Sequence, residues 1–114
     1  MREPEMFEPM KKLLEGEGYK ILSVATGQEP GADIIAERQG RKLIMEMKGD
    51  SAALGVDLGT GIFQLLRHMR AGSNEEYALG ISESYTRLVR QIEYPLKKLG
   101  IAVFVVGSNV YQLW

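Results

Sequence analysis

Residues Gly31–Asp50 read GADIIAERQGRKLIMEMKGD, two apolar runs that meet at Gln39-Gly40 and are interrupted by Asp33, Glu46 and Lys48. A Gly at the second place of a two-residue turn supplies the positive φ that a tight hairpin needs. The stretch therefore predicts a β-hairpin in which Arg38 faces Arg41, Ile35 faces Ile44 and Asp33 faces Glu46. Side chains directly opposite share a face, with Cβ atoms about 4.5–5.5 Å apart. Period two puts Lys48 on that face as well. Two carboxylates so close repel, and a divalent cation relieves the repulsion.

The competing reading is the solvated face of an ordinary amphipathic hairpin, and a slip of one residue would turn Asp33 to the other side. With 12 Glu and 7 Lys in the chain, one Glu-x-Lys triplet is weak by itself. Two features favour the site: Asp33 is one of only three Asp residues, and Ile35 and Ile44 lie on the same face as the acids. Acids among apolar neighbours need partners.

Outward from the hairpin, the sequence alternates helix and strand patterns. PEMFEPMKKLLEGEG places Met6, Phe7, Met10, Leu13 and Leu14 on one helical stripe, with Glu8, Lys12 and Glu15 opposite. Pro9 predicts a regular helix that begins there with Glu8 near its cap, and Gly16 and Gly18 end it. Residues 19–26 read as a strand, followed by a loop over 28–32. The Gly-rich GDSAALGVDLGTG (49–61) reads as a mobile lead into a helix over 62–71, with Ile62, Phe63, Leu66 and Met69 as its buried stripe. A strand over 75–82 comes next, then a helix opened by Ser84 and disturbed near Pro95. IAVFVV (101–106) reads as a strand covered on both faces, and VYQLW closes the chain as a short strand or an apolar interface. The order is α-β-β-β-α-β-α-β with a short final strand, one α/β domain over 1–114.

Composition limits the chemistry. The chain has 114 residues, 45% apolar and 25% charged, as in an ordinary soluble domain. No apolar run approaches the ~20 residues that span a bilayer, and acids occupy the start where a signal peptide would be basic. A cytoplasmic protein with no membrane partner is expected. With no Cys and one His, thiolate zinc and a Cys nucleophile are excluded, so any metal is held mainly by oxygen. Oxygen donors favour magnesium or manganese. A formal charge of −1 gives no global basic signature, so binding to a nucleic acid would have to come from local patches.

A helix carrying an acid, three antiparallel strands, Asp33, the triplet Glu46-Met47-Lys48 and then Gln64 on a helix together resemble the PD-(D/E)XK nuclease superfamily, with its restriction-endonuclease-like fold and central mixed sheet. The pattern is nearest to the small archaeal Holliday-junction resolvases: Glu8 precedes Gly18-Tyr19, and DIIAE is followed by IMEMKG. FQLLRHM is similar to the Gln-x-x-x-Tyr helix of the recombination-exonuclease branch, with His68 in the place of Tyr. The chain departs from the resolvases in Ala32 before Asp33, in Pro9 after Glu8 and in its acidic balance.

The resemblance implies a magnesium-dependent deoxyribonuclease, with junction or branched DNA as its candidate structure-selective substrate. Asp33, Glu46 and the Met47 carbonyl would hold Mg2+ or Mn2+, which polarises the phosphate and acidifies a water. Lys48 would orient that water or stabilise the charge that builds on phosphorus-bound oxygens. Glu8 would bind a second metal or its water, and Gln64 would position the nucleophile or the strand; as a surface helix residue, Gln64 would do neither. Arg67, His68 and Arg70 form a basic helix edge suited to backbone phosphates. Cutting two strands takes two sites, so a homodimer is expected. The main alternative is a DNA-binding or regulatory subunit that keeps the fold without the reaction. VDLGTG before a helix also resembles a nucleotide-cradling loop, but it lacks the third Gly and a preceding strand.

Overall fold

The computed structural model describes residues 1–25 and 31–114, so the loop expected at Gln28–Pro30 and the end of the strand at Thr26 lie outside the described residues. The hairpin forms in the expected register: β2 (Ile34–Arg38) and β3 (Arg41–Lys48) pair antiparallel with Arg38 opposite Arg41 and Ile35 opposite Ile44. Gln39 (φ 54°) and Gly40 (φ 76°) are both left-handed, the geometry that matches a tight turn to strand twist. β1 (Lys20–Val24) adds an antiparallel edge with an irregularity between Ile21 and Ser23.

Beyond β3 the chain crosses over twice. α2 (Leu54–His68) carries it to β4 (Glu76–Ser82), parallel to β3. A 3-10 turn (Glu83–Tyr85), α3 (Thr86–Gln91) and α4 (Glu93–Lys98) carry it to β5 (Ile101–Val106), parallel to β4. β6 (Val110–Gln112) returns antiparallel and completes a six-stranded mixed sheet in the order β1-β2-β3-β4-β5-β6.

Helices cover both faces of that sheet. α1 (Glu3–Gly16) lies on one, where Met6, Phe7, Met10 and Leu14 pack against Ile34, Leu43, Met45, Met47, Ala78 and Phe104. The crossover helices lie on the other, where Leu58, Leu65, Tyr85, Val89 and Leu96 pack against Ile44, Leu79, Ile81, Val103 and Val105. Burial on two faces is why β3, β4 and β5 read as nearly continuous apolar runs. Within the described residues, no helix is long and apolar enough to cross a membrane.

Four sequence expectations change. α1 begins at Glu3, not Pro9: Pro4 takes the first turn, Glu5 accepts a bond from the Arg2 N–H at 3.3 Å, and Pro9 stands inside the helix. The packing of Met6 and Phe7 outweighs the hydrogen bond that Pro9 removes. The helix ends as a Schellman pair, Tyr19 N–H to Leu14 O at 2.9 Å and Gly18 N–H to Glu15 O at 3.0 Å.

Only residues 49–53 of the Gly-rich segment lead into the helix; from Leu54 onward it forms the first half of α2, which ends at His68. Its buried positions are Leu58, Gly61 and Leu65, whereas Phe63 (61% exposed) and Leu66 lie outward. Of the expected stripe, Ile62 and Met69 are partly buried against the core, whereas Phe63 and Leu66 are not, and the buried line shifts to Leu58, Gly61 and Leu65.

The long helix expected after Ser84 divides at Ile92 into α3 and α4. In an unbroken helix the Pro95 ring would meet the carbonyl four residues back, at Gln91, and α3 ends there. VYQLW is an edge strand whose tail is bonded into the fold, with Leu113 N–H to Val103 O at 2.7 Å and the Trp114 indole N–H to Ile101 O at 3.0 Å.

Candidate active site

Strand alternation sends Leu43, Met45 and Met47 toward α1 and Ile44, Glu46 and Lys48 toward α2. Glu46 is thereby carried into the interior and is 4% exposed. Asp33 lies one residue before β2, where the register of Ile34 opposite Met45 extends to place it across from Glu46. Its Oδ2 accepts the Met47 N–H at 2.6 Å, so a side chain continues the hairpin ladder and fixes the carboxylate.

Burial pushes the Glu46 carboxyl up to about 8, helped by a hydrogen bond with Asp33 and by the charges of Asp33 and Glu3, while Lys48 opposes the rise. Near neutral pH Glu46 therefore keeps its proton, with Asp33 as its hydrogen-bond partner. Glu46 Oε1 also lies 3.2 Å from His68 Nε2.

The inner stripe of α2 runs through Asp57, Gly61, Gln64 and His68, spaced by four, three and four residues. Gly61 makes the close packing possible: a Cβ there would lie 3.1 Å from both Cγ and Cε of Lys48. The glycine that reads as a helix breaker is the groove in which the Lys48 stem rests. Gln64 is half-buried on the same stripe, one turn before His68.

The first helix contributes a different acid from the expected one. Glu8 is exposed and pairs with Lys11 at 3.1 Å. Glu3, at the start of α1, is half-buried, and its carboxyl is raised first by burial, then by the charge of Asp33, against a lowering by Lys48 and a further rise from Asp57. Gly49 brings it there, since a Cβ at that position would come within 2.1 Å of the Glu3 backbone nitrogen. The Tyr85 hydroxyl donates to Gly49 O at 2.8 Å, and Asp50 Oδ1 accepts from Ser82 at 2.6 Å and Ser84 at 2.5 Å, which holds the end of β3 in place.

His68 turns in to Glu46 and leaves Arg67 on the outer edge of the helix, while Arg70 lies past the helix end and donates Nη1–H to Arg67 O at 2.6 Å and Met69 O at 3.0 Å. Glu3 and Asp57 escaped the sequence reading. The helix-capping pattern Pro4-Glu5 was the signal for an earlier start to α1, and an acid three residues after Leu54 fits the first turn of a helix.

No protein-family model matches the chain, and no curated protein matches it at a significant level. Two solved structures share its fold. One is an XisH family protein from Nostoc punctiforme PCC 73102, with a TM-score of 0.66 at 17% identity, covering 94% of this chain and 96% of that one. The other is a fdxN element excision controlling factor protein from Anabaena variabilis, with a TM-score of 0.64 at 19% identity, covering 94% and 95%. Such a likeness carries the α/β fold with its open mixed sheet and flanking helices over almost the whole chain.

The chemistry of the site rests on its own residues. Among the described residues no group of three or more His, Cys, Asp or Glu side chains forms a metal cage. Asp33 and Glu46 instead bring two carboxylates together, to which the Met47 carbonyl would add a third hard oxygen donor, with the ammonium of Lys48 set against Glu46 and Glu3. Magnesium is commonly held by one or two carboxylates and completes its shell with water and substrate phosphate, so this donor set fits that ion.

Proposed function

We propose that the chain is a metal-dependent nuclease of the PD-(D/E)XK type that hydrolyses phosphodiester bonds in DNA. The observation that carries the reading is a buried Glu46 held against Asp33, with Lys48 one step along the same strand face. A fold does not need two carboxylates in contact inside a sheet, and leaving them there without a cation costs stability. Asp33, Glu46 and the Met47 carbonyl would hold Mg2+ or Mn2+, which supplies polarisation of the phosphate and acidification of a water.

The protein's own groups divide the remaining work. Asp33 is fixed by the Met47 N–H through one oxygen, which leaves the other for ligation. To ligate, Glu46 would give up its proton, and His68 Nε2, 3.2 Å from Glu46 Oε1, would steady that oxygen. Lys48, braced against Gly61, carries a positive charge to where negative charge grows on the phosphate oxygens. Gln64 positions the attacking water or the strand, and Glu3 replaces Glu8 as the acid of the first helix. Arg67 and Arg70 take backbone phosphates, which position a strand without reading its sequence.

Duplex cleavage by so small a domain calls for two copies, and we place a homodimer with the reading. The Anabaena variabilis neighbour is described as an excision controlling factor. A role in excision is compatible with a strand-cutting domain.

The test is cleavage of single-stranded, duplex, flapped and four-way DNA with Mg2+ or Mn2+, against the same reactions in EDTA. Cleavage of at least one substrate that stops in EDTA is expected. Binding without cutting in every reaction would transfer the domain to a regulatory role, and neither binding nor cutting would remove the reading.

A further inference from the structure

We propose that the outer face of α2 is a platform for an unpaired stretch of the bound strand, with Phe63 as the ring on which a base stacks and Arg67 as its phosphate contact. This inference rests on the nuclease reading and names the form of substrate that the site takes.

Phe63 is 61% exposed and Val56 70% exposed on a helix whose inner stripe is occupied by Gly61, Gln64, Leu65 and His68. An exposed aromatic ring contributes nothing to the core. It stands instead with the Arg67 guanidinium 5.8 Å from its centroid, one turn along the helix. Among the described residues Arg67 pairs with no carboxylate, and neither does Arg70, which lies past the helix end with Nη1–H donated to the Arg67 and Met69 carbonyls. The outward positions 55, 56, 59, 60, 63, 66 and 67 include no acid.

A second copy docked on this face by a two-fold axis would meet the same arginines without a carboxylate to receive them. A polyanion meets no such obstacle. An exposed ring beside a guanidinium group is how proteins hold single strands, since every base has a π-face. In a duplex those faces are already stacked, so Phe63 adds affinity only where a base is free. The ring and Glu46 lie on opposite sides of a helix about 10 Å across. A stacked strand spans that distance in about three nucleotides of ~3.4 Å each.

The test uses the full chain in EDTA, so that binding is read without cleavage. Fluorescence anisotropy compares a labelled single-stranded oligonucleotide with the same sequence as a duplex, for the wild type, Phe63→Ala and Phe63→Trp. Phe63→Ala should weaken single-strand binding about tenfold or more and leave duplex binding within about twofold, while Phe63→Trp keeps the single strand bound. Equal losses on both forms, or no loss on the single strand, overturn the platform. Metal-dependent cleavage together with unaltered single-strand binding by Phe63→Ala removes the platform and leaves the nuclease reading intact. Phe63-dependent binding without any cleavage does the reverse.

Discussion

Replacing Lys48 with Ala is expected to lower kcat for DNA cleavage by about 10²–10³-fold, the usual cost of removing a group that stabilises transition-state charge. The ammonium is the one positive side chain that acts on both Glu46 and Glu3. Its loss should leave the fold in place, because the stem is only half-buried and packs on the surface of α2 rather than within the core. Gly61→Ala offers an independent check. The added methyl would stand 3.1 Å from the Lys48 stem and shift the ammonium without changing any charge, so it should also lower kcat. Single-turnover cleavage with circular dichroism as a control for folding decides the matter. Wild-type rates in Lys48→Ala would remove Lys48 from the reaction.

The second large effect is on stability. Glu46 keeps its proton up to about pH 8 in the folded protein and releases it near 4.5 when unfolded. Its folded pKa is raised, so its contribution is complete below pH 4.5. Stability then falls by about 1.4 kcal/mol for each pH unit until the folded group itself ionises near 8. Metal-free wild type should therefore lose on the order of several kcal/mol between pH 5 and 8. Glu46→Gln keeps an N–H to donate to Asp33 and cannot ionise, so its stability should stay nearly flat and exceed that of the wild type at pH 8. It should also be inactive, because an amide is a poor ligand for magnesium. Urea denaturation in EDTA at several pH values measures this, and parallel slopes for the two proteins would refute the account. Adding Mg2+ at pH 8 should recover stability in the wild type only, since binding to the folded state alone stabilises it.

If both expectations hold, stability and activity oppose each other at Glu46, where an amide would fold better than the acid that the reaction needs, a trade-off common at active sites.

The hairpin was legible in the sequence because three signals agree: period two, a Gly at the turn, and the meeting of Asp33 with Glu46 at the same register. The order of elements followed from apolar runs of the right lengths. What misled was punctuation. Glycines at 55, 59 and 61 read as loop, yet Gly61 is a packing residue whose missing side chain admits Lys48. Hydrophobicity alone then chose Phe63 and Leu66 as the buried face of α2, whereas the inner face carries Gln64 and His68. Pro9 read as a helix start moved the first acid from Glu3 to Glu8. Each error arose where a local rule met a tertiary contact that only the sheet could supply.

The central claim is that Asp33 and Glu46 hold one divalent cation between them. Binding of Mn2+, followed by loss of the free-ion signal in electron paramagnetic resonance at pH 8, tests it without any need for cleavage. The account predicts one site per chain in the wild type, with affinity reduced by at least about 10–100-fold, the scale of a lost supporting contact, in both Asp33→Asn and Glu46→Gln. No binding by the wild type, or binding that both variants retain in full, would contradict it.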